Sequence, residues 1–168
     1  KIKVLNTVDP VYSKTEIKKL KKYCEIKTEL YSRKKALEFS KDAKVILAGG
    51  RIKIDDELIN RAKKLKLILS HSTGTDHLAL NTIRKRKIKV VHIAKKFNLI
   101  NKFTATSELS FCLLLSLLRK TIDSFNDAKK GIWSRDKHTG FQLKDKTIGI
   151  LGLGRLGKIS AKIAKGFQ

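Results

Sequence analysis

The chain has 168 residues and carries 39 Lys plus Arg against 15 Asp plus Glu, a formal charge of +24 at neutral pH. An apolar share of 41%, one Pro and ten Gly exclude a disordered basic tail and a fibrous repeat, and the length suits one domain or one and a part. The most apolar stretch, Phe111 to Leu118, is broken by Ser116 and closed by Arg119-Lys120, far short of the roughly 18 to 20 apolar residues a membrane span needs. With no signal-peptide pattern at the amino terminus the chain reads as cytoplasmic. Cys24 and Cys112 stand apart from each other and from any His cluster, so they read as reduced thiols, with no disulfide and no metal site.

Lys1 to Asn6 alternates charged and apolar residues before an Asp9-Pro10 turn, as a strand does. Glu16 to Tyr23 places Ile17, Leu20 and Tyr23 at helical spacing, with Ser13 or Thr15 as the cap. The rhythm repeats: Ile26 to Tyr31 as a strand, Arg33 to Phe39 as a helix, Ala43 to Ala48 as a buried strand, Asp55 to Leu65 as a helix opened by acidic residues. Leu67 to Ser70 follows as a strand, Leu78 to Lys85 as a short helix after the Gly74 turn, and Ile88 to His92 as a fifth strand. Strands and helices alternating at this spacing predict a parallel sheet covered by helices, an α/β domain ending near residue 97.

From Thr104 to Lys130 a helical period is sustained, with Glu108 in the first turn and Gly131 as the carboxy-terminal cap, and predicts one long helix. Its apolar face is wider than one neighbouring surface covers, which points to a second domain or a second subunit packed on it. After Trp133 and a polar loop, Lys146 to Leu151 reads as a strand and Arg155 to Lys165 as a helix.

Between them lies Gly152-Leu153-Gly154-Arg155-Leu156-Gly157, the G-x-G-x-x-G pattern in its expected setting of strand, turn and helix. The first Gly permits the turn, the second admits a pyrophosphate to the backbone, and the third lets helix and strand pack closely. Free amides at the helix start then bind the anion. A Gly-rich strand-to-helix turn without a ligand satisfies the same letters. The acidic residue that would hold the ribose falls roughly 20 positions on, past Gln168, so the choice between NAD and NADP is not written in these residues.

The segment from Leu67 to Phe167 resembles the D-isomer-specific 2-hydroxyacid dehydrogenases. Four landmarks stand in the family's order: Ser72-Thr73-Gly74-Thr75-Asp76-His77, Ser107-Glu108-Leu109, Gly131-Ile132-Trp133, and Thr147 through Gly157. The first 66 residues share the βα rhythm alone. The resemblance implies a flavodoxin-like substrate lobe over residues 1–97 and the beginning of a Rossmann NAD-binding domain over 98–168. It also implies a substrate carboxylate held by Thr73 and Gly74, and a cofactor contacted by Thr73, Gly152, Leu153, Gly154, Arg155, Leu156 and Gly157. The alternatives are an ordinary turn with Asp76 capping the next helix, and an Arg155 that is merely solvated.

The implied reaction is hydride transfer between NAD, or NADP, and a small 2-hydroxy or 2-oxo acid, in a homodimer joined through the Thr104–Lys130 helix. The family's catalytic Arg, acidic residue and His lie beyond the cofactor motif, so no catalytic residue is assigned here. His71, His77, His92 and His138 read as structural or solvated, and the chain as truncated and inactive by itself. The chain departs from the family in a longer stretch between Val91 and Glu108 and in Thr106-Ser107 before the Glu. A cofactor-sensing regulator of the same fold, whose output is binding and not turnover, is a second reading. A basic nucleic-acid-binding protein is a third. Against the third, the basic pairs are spread over separate helices and loops, Arg84 to Lys87 is the one true run, and no zinc-finger or RNP signature accompanies them. They read as a solvated surface that steers anionic ligands inward.

Overall fold

Basic and apolar residues alternating at the amino terminus form β1 (Ile2–Asn6) in the computed structural model, which describes residues 1–8, 13–26 and 32–167. Helix α1 (Lys14–Tyr23) is opened by a reciprocal cap: Ser13 Oγ accepts from the Glu16 amide at 3.2 Å, and Glu16 accepts from the Ser13 amide at 2.7 Å. Of the two caps the sequence offers, Ser13 serves. Strand β2 (Cys24–Ile26) starts two residues before the expected Ile26, because Cys24 pairs with Ile2. The Asp9-Pro10 turn and the rest of the expected strand, 27–31, lie outside the described residues.

Helix α2 (Arg33–Ser40) is capped by Ser32, and β3 (Val45–Ala48) follows. Helix α3 (Asp56–Arg61) is capped by Asp55, whose carboxylate accepts from the Leu58 amide at 3.1 Å. It stops four residues before the expected Leu65: Ala62 leaves helical geometry, and a turn from the Leu65 amide to the Ala62 carbonyl (3.0 Å) buries Leu65. After β4 (Leu67–Ser70), helix α4 (Leu80–Lys85) begins two residues later than expected, because Leu78 is held in a parallel bridge to Ile54. Strand β5 (Lys89–His92) closes the sheet.

All pairings are parallel, in the order β2-β1-β3-β4-β5, the doubly wound flavodoxin-type order. Ile46, Ile54, Leu58, Ile59 and Ile68 are wholly buried between sheet and helices. Each such side chain contributes about 1.5–3 kcal/mol through burial.

The chain divides into two compact units, Lys1–Phe97 and Asn98–Gln168. A short α5 (Phe97–Ile100) and a preceding single turn (Ile93–Lys95) occupy the stretch between β5 and the next helix. The second unit corrects two expectations. The long helix is two, α6 (Ala105–Leu118) and α7 (Thr121–Lys129), broken at Lys120, which adopts left-handed geometry (φ 49°). The Leu118 carbonyl, which would continue the helix, accepts from the Phe141 amide at 3.0 Å instead. Gly140 makes this approach possible: a Cβ there would stand 2.4 Å from the same carbonyl oxygen. Gly131 (φ 72°) ends α7 as expected, with the Gly131 and Ile132 amides closing on the Ala128 and Asp127 carbonyls.

The second correction concerns Lys146 to Leu151, which forms no strand, and Leu151 is fully exposed. No other strand exists among the described residues of this unit, so an extended segment has no ladder to join. Helix α8 (Arg155–Ala164) does form, starting at the expected Arg155 and ending one residue before the expected Lys165.

Candidate functional site

In the first unit, the carboxy-terminal ends of β1 and β3 meet where the strand order reverses, the position at which open α/β sheets bind ligands. The two ends are locked together. Thr7 Oγ1 donates to the Leu47 carbonyl (2.9 Å) and accepts from the Gly49 amide (3.1 Å), while Asn6 Oδ1 accepts from the Val8 amide (3.0 Å). A Cβ on Gly49 would lie 2.8 Å from the Thr7 carbonyl oxygen, so only Gly allows the closure. Sequence reasoning missed Gly49-Gly50 here. The signal was a Gly pair directly after a buried strand.

The loop after the neighbouring β4 carries Thr73 and Gly74, both exposed. Among the described residues no acceptor takes their amide N–H groups. Beneath them the loop is pinned. The Ser72 amide donates to Ser70 Oγ (3.2 Å), which faces the buried His77 ring at 3.4 Å, and the His77 carbonyl accepts from the Ile54 amide at 2.8 Å. Burial, above all, holds the His77 pKa below the ordinary imidazole range; Asp76 opposes and His71 adds to it. The ring is therefore neutral at pH 7 and suited to its hydrogen bond with Ser70. Asp76 does not cap the following helix, which has no side-chain cap. Its carboxylate sits 2.8 Å from where a Gly74 Cβ would stand.

In the second unit, Gly152 turns the chain with φ 96°, and a Cβ on Gly157 would be 2.1 Å from the Gly152 carbonyl oxygen. The turn thus closes only because position 157 has no side chain. Gly154 is the cap residue of α8, with no side chain bonded to the first-turn amides and nothing within 4 Å of where its Cβ would point. A ten-residue helix ending in uncapped amides over open space fits a pyrophosphate. Leu153 is exposed. The Arg155 guanidinium donates through Nη1 to the carbonyls of Ile100 (3.0 Å) and Phe103 (2.7 Å). With the side chain held there, its backbone amide at the helix start faces an anion. Ser107 Oγ donates to the Leu156 carbonyl at 3.2 Å, so α6 and the Arg155 side chain together hold the start of α8, a support the sequence did not reveal.

The remaining His residues carry no constellation. His71 is exposed, His92 ends β5 with a buried Nδ1 lacking a partner among the described residues, and His138 contacts the buried Asp127 at 3.0 Å. Lys137, at 2.7 Å, is the main cause of the lowered Asp127 pKa, with His138 assisting. No cluster of three potential metal ligands occurs among the described residues.

A family model for the catalytic domain of D-isomer specific 2-hydroxyacid dehydrogenases matches residues 4–98, and one for the family's NAD binding domain matches residues 111–168. The chain belongs to this family. Glyoxylate reductase of Thermococcus litoralis is 32% identical over 164 residues, covering 90% of this chain and 47% of the relative. D-3-phosphoglycerate dehydrogenase of Methanocaldococcus jannaschii is 30% identical over 167 residues, covering 99% of this chain and 30% of the relative. Among solved structures, a Thermus thermophilus protein superposes with a TM-score of 0.84 at 29% identity, over 99% of this chain and 53% of its own. D-lactate dehydrogenase of Aquifex aeolicus, solved with NAD and lactic acid, gives 0.80 at 25% identity, over 98% and 48%. This 2-hydroxyacid dehydrogenase chain therefore spans about half the length of its first relative and of these structures. No helix among its described residues is long and apolar enough to cross a membrane.

Proposed function

We propose that this chain supplies the substrate lobe, residues 1–97, and the opening of the cofactor domain, residues 98–168, of a D-2-hydroxyacid dehydrogenase. The carrying observation is the uncapped start of α8 above the Gly152-Gly154-Gly157 turn, in a chain matched by both of the family's domain models. When bound there, the nicotinamide dinucleotide supplies or accepts the hydride. This chain's residues orient and bind. The amides of Gly154, Arg155 and Leu156 meet the pyrophosphate beside Gly152, Leu153 and Gly157. The free amides of Thr73 and Gly74 meet the substrate carboxylate, with Thr73 also near the cofactor. The relatives and the lactate complex support a small 2-oxo or 2-hydroxy acid as substrate and NAD as cofactor, with NADP an alternative. The exposed leucines of α6 and α7's Ile122 and Phe125 support a homodimer. The proposed enzyme works in the cytoplasm.

The test is NADH titration and turnover of glyoxylate, hydroxypyruvate and pyruvate by the full-length protein. Binding and turnover are expected in the wild type, and Gly157→Val is expected to weaken NADH by more than tenfold while leaving the melting of the Lys1–Phe97 unit in place. The 168 residues alone should hold NADH weakly or not at all. A full-length protein that neither binds NADH nor reduces any of the three acids overturns the reading.

A further inference from the structure

The basic residues that look dispersed along the sequence converge in space. In a parallel sheet every strand starts at the same edge, so each segment leading into a strand delivers its charge there. Lys41–Lys44, Lys63–Lys66 and Arg84–Lys89 lead into β3, β4 and β5; they contain ten Lys and Arg, one Asp and no aromatic residue. Lys1, Lys3, Lys21 and Lys22 extend the edge toward β1 and β2. Lys3, Lys44, Lys66 and Lys89 are linked through the backbone, the Lys44 amide donating to the Lys3 carbonyl, Lys66 to Lys44 and Lys89 to Lys66, each at 3.0 Å. Lys3, Lys44 and Lys66 stand in register, while Lys89, the register partner of Leu67, lies one position further on and on the other face, so the edge carries cations on both faces of the sheet. All four side chains are exposed. At about 4.8 Å per strand, the row is about 14 Å long.

Lys21, Lys22, Arg84 and Lys85 sit in the last turns of α1 and α4, where a cation complements the helix dipole. The row does not share that explanation, because its members stand at strand starts. Three carboxylates lie close, all at the β1–β2 end: Asp42 pairs with Lys3 (3.5 Å) and Lys64 (2.9 Å), Glu25 is the register partner of Lys3, and Glu38 lines the same cavity as Lys3, Glu25 and Asp42. Lys44, Lys66 and Lys89 have no carboxylate partner among the described residues. This edge also lies opposite the one bearing Thr73 and Gly74, so it does not serve the site already described.

We propose that the amino-terminal edge of this sheet docks the phosphate backbone of double-stranded nucleic acid, without regard to sequence. A line of cations with no stacking aromatics among Lys44, Lys66 and Lys89 suits a linear polyanion; single-strand binders interleave aromatic platforms. A membrane surface would call for an apolar element to insert beside the lysines; these three loops expose none, and the nearby exposed Phe39 shares its cavity with Glu25, Glu38 and Asp42, which an anionic surface would repel.

The experiment is fluorescence anisotropy of a labelled 30-base-pair duplex with the intact protein across a salt series. Four phosphate contacts predict a slope of about −3.6 in log affinity against log salt, roughly a hundredfold loss from about 50 to 200 mM. Lys44→Gln with Lys66→Gln and Lys89→Gln should bring the slope to about −0.9. Lys14→Gln with Lys34→Gln and Lys35→Gln, an equal charge change at helix starts on the opposite edge, should leave it near the wild-type value. Circular dichroism melts show that both variants fold. Absence of duplex binding, equal losses in the two variants, or binding to phosphatidylserine vesicles in preference to duplex would each overturn the proposal.

Discussion

The two units of this chain use similar residues to opposite effect. In Lys1–Phe97, five parallel strands accept helices, and the central isoleucines and leucines vanish from solvent. In Asn98–Gln168, Ile100, Phe111 and Leu143 are the buried apolar residues among those described, while Leu109, Leu113, Leu117, Ile122, Phe125 and Trp133 stay exposed. The difference is one of partners and not of hydrophobicity. A strand or an apolar helix contributes stability only when a neighbouring layer covers it. Ile46 has that layer; Ile148, in a segment that also reads as a strand by sequence, does not.

The sharpest way to break this comparison is to remove side chains from each unit. Ile46→Ala should cost about 3 kcal/mol through lost burial and a residual cavity, seen as a lower denaturant midpoint. An exposed counterpart such as Leu113→Ala should shift it by less than about 0.5 kcal/mol. Equal effects would show that the second unit has a covering layer of its own. A smaller cost, about 1–3 kcal/mol, is expected for Gly49→Ala. There the new Cβ meets the Thr7 backbone, which cannot yield as a side chain could.

What the sequence disclosed follows the same division. The strand starting at Val45 and the one starting at Leu67 were legible because a buried parallel strand is a short apolar run, here opened by a lysine and closed by Gly49 or His71. The glycines of the turn from Gly152 to Gly157 were legible because their spacing is local. The break at Lys120 was not, because its cause is an amide 21 residues away, at Phe141, taking the Leu118 carbonyl. The missing Lys146–Leu151 strand has the same origin: strand pairing is non-local, and apolar letters do not state whether a neighbour exists. The lysine row was hidden for a third reason. Neighbouring members lie 22 to 41 positions apart, and only parallel topology brings them to one edge.

A pH titration sharpens the comparison from the site's side. Because burial lowers the folded His77 pKa, the unfolded chain binds a proton that the folded one refuses. The first unit should be fully stable above about pH 6.5 and lose stability as pH falls below it. In His77→Gln that slope should flatten between about pH 6.5 and 5, read from denaturant midpoints. An unchanged slope would assign the pH dependence to other groups. Asp127 titrates in the second unit in the same direction but lower, since Lys137 holds its folded pKa below the ordinary carboxylate value.

The smallest effect on the fold itself is expected at Leu117, and it is the most discriminating. With 76% of its surface exposed, Leu117→Ser should leave the stability of a dilute sample within about 0.5 kcal/mol of wild type. If the α6 face is covered by a second copy in the proposed homodimer, symmetry removes the side chain twice. Two losses of about 1.5 kcal/mol raise the dimer dissociation constant about a hundredfold. Sedimentation equilibrium of the full-length protein reads this directly. A dissociation constant unmoved by Leu117→Ser would mean that another layer, and not a second copy, completes this unit.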